Sequence, residues 1–576
     1  MSSRRTAQGT ATAVIGICVL LIGAWLSPAA HADGGVDPTA LQQAALPPVG
    51  AAGVDPASYA ALFAGVPADP PTGAIVADSG FRPFPNGFSF VNYGQDLGLN
   101  QVLFGQPSPL TPGTSPALSS PLTPESMRRV FGDGVCLPGS GATCVLTESA
   151  KVVMAQTNAW AAGGHCFGFA TVANALYTGR LPRTDVGGGQ VNTLTTPNDA
   201  AQQAILRAFV AQYFSATGIR PATMADAIAR LRSSITPGHI PYTMLVYGAP
   251  GGHALVPYAV LDRGNGQFDI AVYDPNLPNQ ARAIHVDTVA NAWTFTTSPG
   301  VGTATWSSTD PAKPAYFLLG DVASALAQQA CPFCQSGRSG TLVSFSPVLT
   351  ANAGIFNNVT LRDTAGQPLD PSQYRVIPPT NQVSSPLATG PAFVVDPGIA
   401  FEIGLDGQSV ETVQPLTVTV VASGTTRSLR LETISAGLRG RVRVENDGST
   451  LSFAGVATNK GTATHTFTQG RASYSIQGVE TTAFHVEAMD FRSYQVRNRI
   501  VFRENDAFAA LWSVRLLSRN IGGGSTYGTS GVVVPAGSQL VVLYSGWSGK
   551  SGKPVLWLDK GSNGSLDVQI PLHRVP

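Results

Sequence analysis

A chain of 576 residues is longer than one hydrophobic core organises and points to about two to four domains. Apolar residues make up 43% of it and charged residues only 12%, which suits folded domains and excludes a charge-rich disordered chain. A net charge of +1, with no basic tract and no acidic tail, excludes a polyanion-binding footprint, so no nucleic-acid partner is expected.

Arg4 and Arg5 precede an apolar run from Ala11 to Leu26, shorter than the ~20 residues of a membrane span. Ser27-Pro28-Ala29-Ala30-His31-Ala32 follows as a small-residue cleavage site. Residues 1–32 are therefore expected to be a signal peptide, and the mature chain to be secreted or held at the cell surface. An uncleaved anchor is the competing reading of the same run. No later run approaches ~18 apolar residues, so no membrane span is expected after signal removal. Residues 33–80, rich in Ala, Pro and Gly, predict a low-complexity mature N-terminus, and the Pro/Ser/Thr stretch at 105–123 predicts a surface loop.

Residues 81–330 mix helical and strand patterns. Thr147 is placed to cap a helix reaching about Trp160. Thr196-Pro197-Asn198-Asp199 caps one running to Gly218, and Thr223 to Asp226 caps one ending near Ser234. In Gly163-Gly164-His165-Cys166-Phe167-Gly168-Phe169-Ala170 a glycine pair breaks the preceding helix. Phe169, Val172, Ala173, Leu176 and Tyr177 then recur at the spacing of one buried helix face, closed by Gly179. Cys166 thus starts a helix, where the positive end of the dipole favours a thiolate. The flanking glycines would leave bare backbone for a substrate carbonyl. A buried structural cysteine is the competing reading. His165 is expected to pack locally, because adjacent side chains do not face each other.

A thiolate nucleophile needs an imidazole, and the imidazole needs a group to hold its tautomer. Residues 242–247 read as a strand, His253 to Val260 as the next, and Gln267 to Tyr273 as a third, with a hairpin turn over Asp262 to Gly266. Counting outward from a turn centred on Gly264 brings His253 opposite Asp274 within one residue of register. Asp269 falls on the other face, and Asn276 is the alternative orienter if the register shifts.

Of six cysteines, Cys18 lies in the signal, leaving an odd number in an exported chain. Pairing Cys136 with Cys144 and Cys331 with Cys334 would leave Cys166 free, although four cysteines allow three pairings. Cys331-Pro-Phe-Cys334 resembles a redox dithiol but lacks a following helix pattern, so a structural disulfide is the expected reading. No metal or other cofactor is expected. The cysteine pair lacks two further ligands for zinc, and Asp559 to Asp567 has too few carboxylates for a calcium loop. Beyond residue 340 short Val/Thr/Leu/Ile runs alternate with turn residues, predicting β-sandwich-like domains over 340–435 and 436–576. That region reads as a spacer or the holder of a surface ligand.

Gly-Gly-His-Cys-Phe-Gly-Phe opening a helix, Gly-Gly-His-Ala opening a strand, and Val-Tyr-Asp-Pro-Asn after it resemble the papain-like cysteine peptidases. The bacterial branch that includes bacteriocin-leader peptidases is the nearest in flavour. The segments Asn86 to Gly94 and Met127 to Gly132 resemble exported bacterial proteins sharing this domain. The resemblance spans about residues 80–320. It implies an α+β papain-like cysteine peptidase domain, followed here by an all-β, sandwich-like C-terminal region. It further implies Cys166 as nucleophile, His253 as base and Asp274 as orienter, acting on a peptide or protein substrate through an acyl-thioenzyme. The family's oxyanion glutamine, six residues before the nucleophile, is Trp160 here, and Gln156 and Asn158 are the nearby substitutes. Passing the acyl group to an amine, as a transglutaminase does, is an alternative outcome at the same site. An exported binding or surface protein with a degenerate hydrolase fold is the reading from another class.

Overall fold

The computed structural model describes residues 66–90, 92, 121–161, 164–194, 198–214, 218–248, 251–297, 303–311, 314–334, 340–346, 360–377, 392–406, 414–422, 424–434, 439–445, 450–456, 460–481, 489–505 and 509–575. The expected signal peptide and most of the 105–123 stretch lie outside them. Among the described residues no helix is long and apolar enough to cross a membrane.

The fold is mostly β, with helices concentrated before residue 240. One antiparallel sheet takes β1 (Ala74–Asp78), β2 (Tyr242–Gly248), β3 (Gly251–Gly264), β4 (Gln267–Tyr273), β5 (Ala281–Asp287), β6 (Ala292–Thr297), β7 (Ala304–Ser307) and β8 (Tyr316–Asp321). Its order is β7-β6-β5-β4-β3-β2-β8, with β1 also on β3. The helices that accompany it include α1 (Pro124–Phe131), α2 (Glu148–Ala161), α3 (Cys166–Tyr177), α4 (Asp199–Phe214), α5 (Met224–Ser234) and α6 (Val322–Leu326). Leu245, Tyr247, Ala254 and Val256 bury one face against α3 and α4. Met244, Val246, Leu255, Val260 and Ile270 bury the other with Ile228 and Leu231 of α5. Two covered faces explain why β2 and β3 read as nearly continuous apolar runs rather than alternating ones.

The three threonine caps of α1, α2 and α5 are made as their chemistry dictates. Thr123, Thr147 and Thr223 each accept from a backbone N–H three residues on, at 3.1–3.2 Å. Thr196 and Pro197 lie outside the described residues, as do residues 215–217 between the described end of α4 at Phe214 and Gly218. Gly218 instead abuts the Leu319 carbonyl, and Ile219 exchanges 2.9 Å backbone bonds with Leu319 of β8.

The end of the stretch expected to be low-complexity is ordered. Residues 74–78 pair with β3, and what precedes them is pinned to the sheet. Thr72 donates through N and Oγ1 to Asp269 at 2.8 and 3.0 Å, Arg282 donates to the Pro67 carbonyl at 2.5 Å, and Asp69 meets His285 at 2.8 Å. The Ala/Pro/Gly bias concealed a short strand paired from Ala74 with Asp262 to Asp78 with Ala259, partners beyond the reach of local patterning.

After residue 340 two further sheets form. One runs β11 (Tyr374–Ile377), β12 (Ala392–Val395), β9 (Thr341–Ser346), β14 (Gln414–Ala422), β15 (Thr425–Ile434), β18 (Lys460–Gln469), β19 (Ala472–Thr481), β22 (Ala510–Asn520), β23 (Gly523–Val534) and β27 (His573–Val575). The other runs β10 (Thr360–Arg362), β13 (Phe401–Asp406), β16 (Arg439–Val444), β17 (Thr450–Val456), β20 (Met489–Val496), β21 (Arg499–Glu504), β24 (Gln539–Leu543), β25 (Val555–Asp559) and β26 (Val568–Ile570). From β14 onward consecutive hairpins alternate between the sheets. Phe502 meets Trp512 at 5.6 Å and Phe467 meets Tyr544 at 5.0 Å across the shared core. The boundary expected at 435/436 falls within continuous ladders, β13 on β16 and β15 on β18, over one hydrophobic cluster. β15 and β16, on either side of residues 435–438, belong to different sheets.

This sandwich also packs on α2. The Glu148 N–H donates to Ser473 Oγ at 2.7 Å, Ser149 and Thr466 hydroxyls meet at 3.2 Å, and Leu342 and Val421 join the core around α3. Central burial of α3 leaves no solvent face: Cys166 through Leu176 are all buried. Gly168 is where α3 and α4 touch, because a Cβ there would lie 2.1 Å from the Ile205 carbonyl oxygen. Replacing a helical glycine by alanine ordinarily gains up to about 1 kcal/mol. Here the clash is with backbone and outweighs that gain. Gly168→Ala is expected to lose about 1–3 kcal/mol of stability, as overpacked cores do, read from the urea midpoint. An unchanged or raised midpoint would contradict this contact.

Candidate active site

Cys166 is the first residue of α3, and His165 before it is non-helical at φ −138° and ψ 46°, so the helix starts at the sulfur-bearing residue. The Cys166 side chain is fully buried. Disulfides join Cys136 to Cys144 and Cys331 to Cys334, and Cys166 is the free thiol of the described residues.

His253 is the third residue of β3, paired with Val246 of β2. Its Nε2 lies 2.7 Å from Asp274 Oδ1, with both side chains buried. The ladder from which this juxtaposition was expected differs in detail. Bulges at Pro257/Ala259 and Asp262/Gly264 shift the register, so β3 and β4 last pair at Val256 and Tyr273. Asp274 lies just past that rung. Asn276 meets the carboxylate through its backbone: its N–H donates to Asp274 Oδ1 at 2.8 Å. Asp269 is held apart by Thr72, Arg263 and His285.

Burial opposes the His253 imidazolium most strongly. The charges of Asp274 and Cys166, and hydrogen bonds to both, nonetheless raise its pKa from 6.5 to about 10. Burial likewise opposes the Asp274 carboxylate, but His253, the Thr297 hydroxyl and the Asn276 N–H hold it below its ordinary value. His165 shows the contrary outcome. Burial lowers it to about 4, and it packs near Phe169 and Phe209 as a neutral ring, with Nδ1 3.4 Å from the Ala161 carbonyl.

Other contacts were not legible. Asn92 joins the two halves of the site: its Oδ1 accepts from the His165 N–H at 2.9 Å, its Nδ2 donates to Asn276 Oδ1 at 3.0 Å, and its N–H donates to the Pro275 carbonyl at 2.7 Å. Thr297 at the end of β6 donates its hydroxyl to Asp274 Oδ2. Trp306 of β7 lies roughly parallel to the His253 ring at 6.2 Å and donates Nε1–H to the Gly251 carbonyl at 3.0 Å. Asn92 stood in a segment noted for its resemblance, but nothing in the sequence pointed Thr297 or Trp306 at the site.

Of the two oxyanion substitutes, Asn158 is engaged elsewhere, accepting through Oδ1 from the Leu122 N–H at 2.8 Å. Gln156 is buried with its Nε2 making no hydrogen bond among the described residues. Trp160 stacks on Tyr213 with ring centroids 3.9 Å apart. Gly168, read as leaving backbone bare for substrate, faces α4 instead. Among the described residues no cluster of His, Cys, Asp and Glu is arranged to hold a metal. No family model matches the chain, and neither does any curated protein or solved structure.

Two predictions concern this cluster. His253 keeps its proton to about pH 10 when folded, against about 6.5 unfolded. Its stabilising contribution is therefore complete below 6.5 and lost as pH rises through about 10. That of Asp274, whose pKa is lowered from 3.8, is present above that value and lost as pH falls. Urea midpoints are expected to fall from pH 6.5 to 10, with a shallower fall in His253→Gln. Asp274→Ala, which leaves the imidazole buried without its anion, should cost about 3–5 kcal/mol near pH 6. Asn92→Ala is expected to cost about 1–3 kcal/mol through unsatisfied buried partners and to slow alkylation of Cys166 in the fully folded variant. Unaltered alkylation would leave Asn92 a purely structural residue.

Proposed function

We propose that the chain is an exported cysteine hydrolase of papain-like type, acting on a peptide or amide bond. The observation that carries this reading is the free thiol at a helix start beside an imidazole whose Nε2 is held at 2.7 Å by a buried carboxylate. His253, which holds its proton to about pH 10, pairs with the Cys166 thiolate, and the sulfur attacks the carbonyl carbon. The tetrahedral intermediate collapses as His253 gives its proton to the leaving amine, giving a thioester. Water, deprotonated by His253, then hydrolyses the thioester and frees the thiol. An amine in place of water would make the product an amide. The carbonyl oxygen would be met by the first N–H groups of α3, which have no acceptor within their own helix, together with Gln156. Asp274 and Thr297 fix the ring. Export is supported by two disulfides, which persist in oxidising compartments. The substrate class rests on the chemistry of the site alone.

A second reading, a binding or surface protein with an inactive hydrolase fold, is favoured by one observation: Cys166 is wholly buried and His253 nearly so. The two part in a labelling experiment. In the first reading iodoacetamide alkylates wild-type Cys166 faster than a free model thiol at about pH 6, where a thiol of pKa ~8.5 is protonated. His253→Ala slows it at least tenfold, and Asp274→Ala less. Equal, slow labelling of wild type and His253→Ala would establish the second reading.

A further inference from the structure

A cavity of about 240 Å³ lies between α1, α3, α4, α6 and the segment from Arg180 to Asp185. Its apolar floor includes Val172, Ala204 and Ala208, and Arg129, Arg180 and Arg207 line it with a single carboxylate, that of Asp185. The volume equals several waters at ~30 Å³ each, enough for a phosphate or a short carboxylic acid.

Arg207 is the telling residue. It rises from the middle of α4 and is half-buried, yet its recorded hydrogen bond is a long one, 3.4 Å from Nη1 to Ser126 Oγ. Neither Arg207 nor Arg180 makes an ion pair among the described residues. Arg129 has one loose, exposed pair with Glu125 at 3.7 Å, of a kind worth little. Burial and then the nearby charge of Arg129 oppose the Arg207 cation, and Asp185 offsets this only in part. Arg180 is held in place by the Ile240 carbonyl at 2.8 Å and Thr178 Oγ1 at 3.2 Å, so one guanidinium is fixed before any ligand arrives. A half-buried guanidinium that one carboxylate offsets only in part is costly, and an oxyanion beside it reduces the cost through forked hydrogen bonds.

We propose that this cavity binds a small oxyanion, the phosphate or carboxylate group of a low-molecular-weight ligand, between Arg207, Arg129 and Arg180. The site is independent of the triad chemistry. Phosphate and succinate serve as probes of the two sources, titrated by calorimetry into the intact mature protein at fixed ionic strength, with chloride as the control. Saturable binding of phosphate or succinate below 10 mM (an order-of-magnitude threshold, about 10 mM, for a small fragment) is expected, and the tighter of the two identifies the source. Arg207→Gln should abolish binding, and the exposed Arg129→Gln, which carries little folding risk, should weaken it about tenfold, one guanidinium–oxyanion contact being worth roughly 1.4 kcal/mol. Arg207→Gln without ligand should be at least as stable as wild type, since a repelled, half-buried cation is gone. Absence of saturable binding by both probes, or affinities unchanged in Arg129→Gln, would overturn the proposal.

Discussion

A charged imidazole and a carboxylate buried together at the open end of a sheet constrain everything around them. Removing both from water costs several kcal/mol per ion, recovered only when geometry and further hydrogen bonds are good. Each neighbour of the His253–Asp274 pair can be understood through that requirement. Thr297 and the Asn276 N–H occupy carboxylate lone pairs that water would otherwise take. Buried Arg282 adds a favourable positive charge near Asp274 while binding the Pro67 and Thr296 carbonyls. Trp306 closes the apolar side of the ring. The strongly apolar sheet under the pair is thus what makes its hydrogen bonds consequential, since low dielectric strengthens a satisfied contact and penalises a broken one.

The helix carrying Cys166 must meet that pair with little tolerance, and three separate devices fix it. Gly168 lets α3 lie directly on α4. Asn92 ties the His165 backbone to the loop bearing Pro275 and Asn276, so Cys166 and Asp274 share one bracket. The preceding helix, α2, is anchored at its start to Ser473 and Thr466 of the sandwich. Such supporting contacts matter because a misplacement of an ångström at a reacting pair is enough to lose most of its effect.

Local chemistry made part of this legible in the sequence. The Thr147 and Thr223 caps, the break before Cys166 and the strand from Gln267 to Tyr273 depend on residues within a turn or two, and periodicity reports them directly. Cysteine parity left one thiol over, and only the pairing of Cys136 with Cys144 and of Cys331 with Cys334 made that thiol Cys166. The His253–Asp274 pairing was approached by counting from a turn, but the two bulges in β3 were not visible, so contact arises by a different register. What failed was long-range. Nothing near Thr72 announces Asp269, and nothing near Thr297 announces Asp274, because those partners are chosen by sheet order. Glycines misled for a related reason: Gly168 is bare because of α4, a neighbour about 37 residues on in sequence.

The sandwich exposes the same limit at larger scale. Turn residues near 434–439 look alike whether a chain leaves one core or merely crosses to the facing sheet. Only pairing separates the cases, and β13 with β16 and β15 with β18 make it the second. Alternating hairpins build one core progressively: strands of one sheet begin at Arg439, Met489 and Gln539, each hairpin backed by one in the other sheet. Each added hairpin covers apolar surface left by its predecessor, so no interior pair is a self-sufficient domain. Because this core also supports α2 through Ser473 and Thr466, the β region is a structural continuation of the helix that leads to Cys166. Its contribution to the site is mechanical before it is anything else.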